Sequence, residues 1–215
     1  NMYIVYSQYM KEEMVRNGYN SQKIKIAPAF YSLPKLPGGQ ANGPTLWSGR
    51  LVSEKGPNLF IDMVKEIHSL HPERKFQVLG DGPCKDRLLK QAKGLPVQFL
   101  GHQPKDEVQM YLNKASCLVM TSLWPEPYGL VGPEALACGV PVVALASGGV
   151  KEWANKNQGT ILAENLAELI QRVGELYDEE MWNKRAELAN KSDISMQPQY
   201  QKKWIEDLLN AIEIT

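Results

Sequence analysis

Short apolar runs bounded by turn residues recur along this chain, and each is followed by a longer stretch of helix-forming residues. The runs Phe76-Gln77-Val78-Leu79, Cys117-Leu118-Val119-Met120 and Val142-Val143-Ala144-Leu145 have the length of buried strands. Strands are predicted at 45–49, 75–80, 97–100, 117–121, 141–145 and 160–162. Helices are predicted at 57–70, 84–93, 104–114, 133–138, 149–155 and 164–190. Such alternation predicts an α/β fold, a Rossmann-like doubly wound parallel sheet with helices on both faces. Ligands of these sheets sit at the carboxyl ends of the strands.

The ends of the chain read differently. A strand end is expected at Met2–Tyr6, with Ser7 capping a helix over 8–17 that Gly18 stops, and a second strand at 23–27. The Pro/Gly density from Pro28 to Pro44 marks a linker. Four parts are therefore expected: 1–30 as the remnant of a preceding domain, 31–44 as linker, 45–190 as the main domain and 191–215 as a closing helix. In that last part Tyr200, Trp204, Leu208, Leu209 and Ile212 share one helical face. The Asn1-Met2 opening, directly before a strand, reads as a fragment boundary.

Composition narrows the function classes. Of 215 residues, 43% are hydrophobic and 22% charged, and the formal net charge is zero, so no basic field argues for nucleic acid. No apolar run approaches the ~20 residues of a membrane span, and no signal-peptide pattern opens the sequence. Cys84, Cys117 and Cys138 are too scattered for a metal or redox motif; they point to a reducing, cytoplasmic setting, with Cys117 and Cys138 as small core residues. His68 and His71 end a helix without a third ligand nearby and read as capping residues.

The chemistry concentrates in Pro125-Glu126-Pro127-Tyr128-Gly129-Leu130-Val131-Gly132-Pro133-Glu134-Ala135-Leu136-Ala137-Cys138-Gly139. A Gly-rich turn runs into a short helix in which Pro133 suits the first position. Gly129 and Gly132 are expected to let the backbone approach a ligand. The helix N-terminus favours an anion, yet Glu126 and Glu134 flank it, and carboxylates prefer hydroxyl donors. A phosphate with sugars at both ends satisfies both demands, which describes a nucleotide sugar. Trp124 is placed equally well in a sugar site or in the core.

This stretch resembles the Glu-x7-Glu signature of retaining GT-B glycosyltransferases, most closely glycosyltransferase family 4. Glu179 and Glu187 match the bare spacing too, so the context carries the specificity. Upstream stand Trp47-Ser48-Gly49-Arg50-Leu51-Val52-Ser53-Glu54-Lys55-Gly56, Leu79-Gly80-Asp81-Gly82-Pro83 and Phe99-Leu100-Gly101-His102. Downstream stand Gly139-Val140-Pro141-Val142-Val143-Ala144 and Ser147-Gly148-Gly149-Val150-Lys151-Glu152. All follow the family's order, over roughly residues 3–170.

The resemblance implies the C-terminal, donor-binding half of a GT-B fold and a hexosyltransferase acting on a nucleotide sugar, with UDP-glucose favoured by frequency among similar enzymes. It implies that Arg50 and Lys55, beside Gly49, bind the donor diphosphate and stabilise the leaving nucleotide, with Glu126 facing the transferred sugar. Glu134 is expected at the ribose, and the backbone at Tyr128, Gly129, Leu130 and Val131 at sugar hydroxyls or phosphate. Gly80 and Asp81 are expected to line the donor site, and His102, Gln103 and Lys105 to flank the base. Ser147-Gly148-Gly149 is expected to let a helix start close to the sheet. No metal or other cofactor is expected. The acceptor, a carbohydrate or lipid-linked molecule, and any membrane-surface contact fall to an N-terminal domain not contained in these residues. The closing helix is expected to cross back onto that domain. The chain alone is then expected to bind donor and to transfer sugar poorly. The segment 155–164 is shorter than in many relatives. A GT-B nucleotide-sugar epimerase and a non-catalytic nucleotide-sugar-binding subunit are the alternatives.

Overall fold

In the computed structural model, residues 2–27, 38–155 and 158–192, with Glu206, are described. The N-terminal part is a small βαβ unit. Strand β1 (Tyr3–Val5) leads into helix α1 (Gln8–Arg16) and returns as β2 (Ile24–Ile26), which pairs in parallel with β1. The cap is the expected one: the Ser7 hydroxyl accepts from the Met10 N–H.

The main domain begins with β3 (Thr45–Ser48), then α2 (Pro57–Leu70), β4 (Phe76–Leu79), α3 (Lys85–Gln91), β5 (Val97–Gly101), α4 (Lys105–Leu112) and β6 (Cys117–Met120). It continues through α5 (Val131–Ala137), β7 (Val142–Leu145), α6 (Val150–Ala154), β8 (Thr160–Ala163), α7 (Leu166–Glu175) and α8 (Glu179–Asn190). The six strands form one all-parallel sheet in the order β5-β4-β3-β6-β7-β8. Strand order reverses between β3 and β6, the switch point where such sheets open a crevice.

Both faces of the sheet are buried, which is why its central strands read as continuous apolar runs. Successive residues serve opposite faces. Trp47, Phe76, Val78, Cys117, Val119 and Val143 join one core with Phe60, Val64 and Ile67 of α2 and Leu169 and Val173 of α7. Leu46, Leu79, Leu118, Met120, Val142 and Ala144 join the other with Leu136 of α5 and Trp153 of α6. Cys117 and Cys138 are both buried, as expected, and burial pushes each thiol up to about 11.

The helix expected over 164–190 is two helices. Leu176 is buried, and Tyr177 is held from three sides. Its hydroxyl lies 3.1 Å from Thr45 Oγ1, the Arg74 guanidinium stacks 4.1 Å from its ring centroid, and its carbonyl accepts from Arg74 at 3.2 Å. Asp178 then caps α8 by accepting from the Met181 N–H at 2.9 Å. Tertiary contacts thus break a segment whose composition is helical throughout. Of the residues expected to form the closing helix, 193–205 and 207–215 lie outside the described residues, as does the part of the linker over 28–37.

Candidate active site

Two loops meet at the switch point. The loop after β3 carries Gly49 and Arg50, then a 3₁₀ turn over Ser53–Lys55. The loop after β6 runs from Thr121 to Leu130 and ends in α5. Thr121 stitches them together. Its hydroxyl donates to the Gly56 carbonyl at 2.8 Å and accepts from the Trp47 indole N–H at 2.9 Å. The Leu123 and Trp124 N–H groups donate to the Glu54 carbonyl at 2.9 and 3.0 Å. Between these loops, α4 and α5 opens a cavity of about 880 Å³, within the range of sites for nucleotide-sized ligands.

The walls carry charges of both signs. Lys55 Nζ donates to both oxygens of Glu126, at 2.6 and 2.7 Å, and the Ser122 hydroxyl donates to Oε1 of the same carboxylate. Glu126 is only 5% exposed, so its charge is compensated inside the protein. Arg50 is exposed and makes no ion pair among the described residues. Glu134 lies partly buried at the start of α5, and its carboxylate has no hydrogen-bond partner among the described residues. Burial raises its carboxyl pKa, and the nearby Lys105 charge lowers it only in part. Among the described residues no group of three His, Cys, Asp or Glu side chains is gathered.

Of the residues singled out from sequence, Gly49, Arg50, Lys55, Lys105, Glu126, Tyr128, Gly129, Leu130, Val131 and Glu134 line this cavity. Gly80, Asp81, His102 and Gln103 do not. Gly80, at φ 135°, packs so closely on the Gly49 carbonyl that a Cβ would overlap it. It shapes the arginine loop from behind. Asp81 bonds Lys85 at 2.6 Å and the Gly82 N–H at 2.7 Å, and these partners hold its carboxyl pKa low. Gln103 is turned onto the Leu100 carbonyl at 2.6 Å, and His102 is exposed.

Two further expectations are corrected. Helix α5 starts at Val131, so Pro133 is its third residue; the missing N–H still falls within the first turn, where it has no intrahelical partner. Gly132 makes room for the Trp153 ring, which a Cβ would strike, and not for a ligand. Gly148 (φ 53°) and Gly149 let α6 start against the Glu126–Pro127 backbone, with the Gly149 N–H donating to the Glu126 carbonyl at 2.7 Å, and α6 also packs on the sheet through Val150 and Trp153. Trp124 is 62% exposed and lines the cavity, which settles its place outside the core. Ser122 and Tyr6 were not singled out from sequence. Ser122 lies four residues before Glu126, a spacing that loops leave without meaning. Tyr6 reaches the cavity only because the N-terminal unit folds back onto the main domain.

Residues 44–193 match the family model described as "Glycosyl transferases group 1". The chain belongs to that family. It is 33% identical over 141 residues to an uncharacterized glycosyltransferase of Methanocaldococcus jannaschii, a match covering 58% of this chain and 37% of the relative. It is 35% identical over 111 residues to a glycogen synthase of Mycobacterium tuberculosis, covering 50% of this chain and 27% of that enzyme. The matches thus span well under half the length of these curated relatives. Among solved structures, Anabaena HepE crystallised with UDP and glucose superposes with a TM-score of 0.82 at 21% identity, covering 97% of this chain and 63% of HepE. That similarity establishes the Rossmann-like domain of a GT-B glycosyltransferase as the fold.

Proposed function

We propose that this chain is the donor-binding part of a retaining hexosyltransferase that uses a nucleoside-diphosphate sugar. The observation that carries the reading is the single cavity in which Arg50, Lys55 and Lys105 stand beside Glu126 and Glu134 over apolar walls. Cations suit a diphosphate, and carboxylates suit the hydroxyls on either side of it. A UDP-sugar, UDP-glucose or a close relative, is favoured, and HepE, of the same fold, was crystallised with UDP and glucose.

In this reading Arg50 and Lys55 neutralise the charge that develops on the leaving diphosphate. They supply it without a metal ion, and no cofactor is needed. Glu134 receives the ribose hydroxyls; its raised pKa reflects a desolvated carboxylate without a donor, which a hydroxyl pair supplies. Glu126 contacts the transferred sugar and is not a nucleophile. Its lone pairs are engaged by Lys55 and Ser122. The transfer is front-face. The bond from the anomeric carbon to the diphosphate oxygen breaks, the acceptor oxygen bonds to that carbon on the same face, and the acceptor proton passes to the leaving phosphate. The acceptor is a carbohydrate or a lipid-linked molecule held by a further domain, in cytoplasmic synthesis of a polysaccharide or glycoconjugate.

The test is calorimetric titration with UDP, UDP-glucose, GDP-mannose and ADP-glucose in the presence of EDTA. One nucleotide family is expected to bind. Glu134→Ala and Arg50→Ala are each expected to weaken it by about 1–3 kcal/mol, the loss of a charged hydrogen-bond partner. Undiminished affinity in both variants would overturn the assignment of this cavity.

A further inference from the structure

One wall of the cavity comes from outside the six-stranded sheet. Tyr6, between β1 and α1, lines it while remaining 50% exposed. Its hydroxyl has no hydrogen-bond partner among the described residues. Its neighbours, in contrast, are fixed. Ser7 is fully buried, and its Cβ lies 3.0 Å from the position a Cβ on Gly149 would take. The Glu152 carboxylate of α6 reaches across to the N-terminus of α1. Its Oε2 accepts from the Gln8 N–H at 2.9 Å and its Oε1 from the Tyr9 N–H at 2.7 Å. A carboxylate at this point satisfies two donors that the helix leaves open and complements its dipole. Gly149 also donates to the Glu126 carbonyl at 2.7 Å. Ser7, next to Tyr6, and the Glu126 backbone thereby meet at the same glycine, and Tyr6 and Glu126 both line the cavity.

We propose that Tyr6 is a sugar-binding residue of this cavity and that Glu152 is the positioning residue that holds it there. The assignment rests on the donor reading above and deepens it. A phenol offers an apolar face to the C–H side of a pyranose and a hydroxyl to its hydroxyl groups. The segments that carry Tyr6 and Glu126 meet at Gly149, and Tyr6 shares the cavity with Glu126, the residue assigned to the transferred sugar. It is rigidly mounted, since the clamp on Gln8 and Tyr9 and the buried Ser7 leave only the side chain free to turn.

The test compares UDP with UDP-glucose in calorimetric titrations of the wild-type chain and of Tyr6→Ala, Tyr6→Phe and Glu152→Gln. Tyr6→Ala is expected to weaken UDP-glucose about three- to tenfold, the range of a net hydrogen bond or ring contact, and to leave UDP unchanged. Tyr6→Phe retains the ring and is expected to lose less. Glu152→Gln is expected to weaken UDP-glucose selectively and to speed hydrogen exchange at the Gln8 and Tyr9 amides, which a change confined to the cavity would not do. Tyr6→Ala binding both ligands as wild type, or losing both in parallel, would overturn the assignment. A wild-type chain that binds neither ligand overturns the donor reading for UDP-sugars, and this assignment with it.

Discussion

Glu126 and Glu134 line one cavity, sit eight residues apart in sequence and live in opposite environments. Glu126 is buried, and Lys55 and Ser122 hold its oxygens. Glu134 is partly buried and its carboxylate has no hydrogen-bond partner among the described residues, so that burial raises its pKa against the weaker pull of Lys105. One carboxylate of the cavity belongs to a finished polar unit, and the other is unsatisfied. Buried charge is stable when paired and costly when not. The contrast therefore separates a residue whose removal damages the protein from one whose removal relieves it. It also says where a ligand gains most: at the group that lacks a partner until the ligand brings one.

The largest effect is expected at the finished unit. Lys55→Met leaves the Glu126 carboxylate buried with Ser122 alone and is expected to cost about 1–3 kcal/mol of stability, the penalty of a desolvated group deprived of its partner. The fully buried limit does not apply, because the lysine side chain is 31% exposed. Denaturant unfolding measures the loss, and adding Glu126→Gln to the variant is expected to recover part of it. A Lys55→Met protein as stable as wild type would erase the difference between Glu126 and Glu134.

Ser122→Ala removes one neutral donor from a charged acceptor and leaves the bidentate lysine. A loss of about 1 kcal/mol is expected in the same experiment, with a smaller loss when Glu126 is already Gln.

The smallest effect has the opposite sign and sharpens the comparison most. A carboxyl whose folded-state pKa is raised binds its proton more tightly in the folded protein. The stability this provides is complete below the unfolded carboxylate pKa and is lost as pH rises through the folded one. Glu134→Gln is therefore expected to raise the melting temperature of the ligand-free protein slightly at neutral pH. The gain is expected to shrink as pH falls toward the ordinary carboxylate range, while donor affinity drops. A melting temperature lowered at neutral pH would show that Glu134 is already satisfied in the free protein.

Much of the fold was legible because each buried strand carries its own signal. The bounds of α2 follow from Gly56-Pro57 at its start, and each predicted strand of the sheet is present within a residue or so at either end. The cavity was legible in part. Ten of the singled-out residues line it because they sit at the carboxyl ends of β3 and β6 or on the helices beside them. Gly80, Asp81, His102 and Gln103 stand in loops of the neighbouring strands β4 and β5, and no local pattern says which loop bends inward.

The sequence by itself determined the alternation of strands and helices, the parallel sheet and the family, since apolar runs, capping residues and ordered motifs are local properties of the chain. Only the tertiary structure decided which charges pair. Lys55 and Glu126 lie 71 residues apart, and Glu152 lies 144 residues from Gln8. The break at Tyr177 depends on Thr45 and Arg74. Each of these contacts joins elements far apart in sequence; the strand order that sets β3 beside β6 brings Lys55 to Glu126, and the others depend on how helices and loops pack around the sheet.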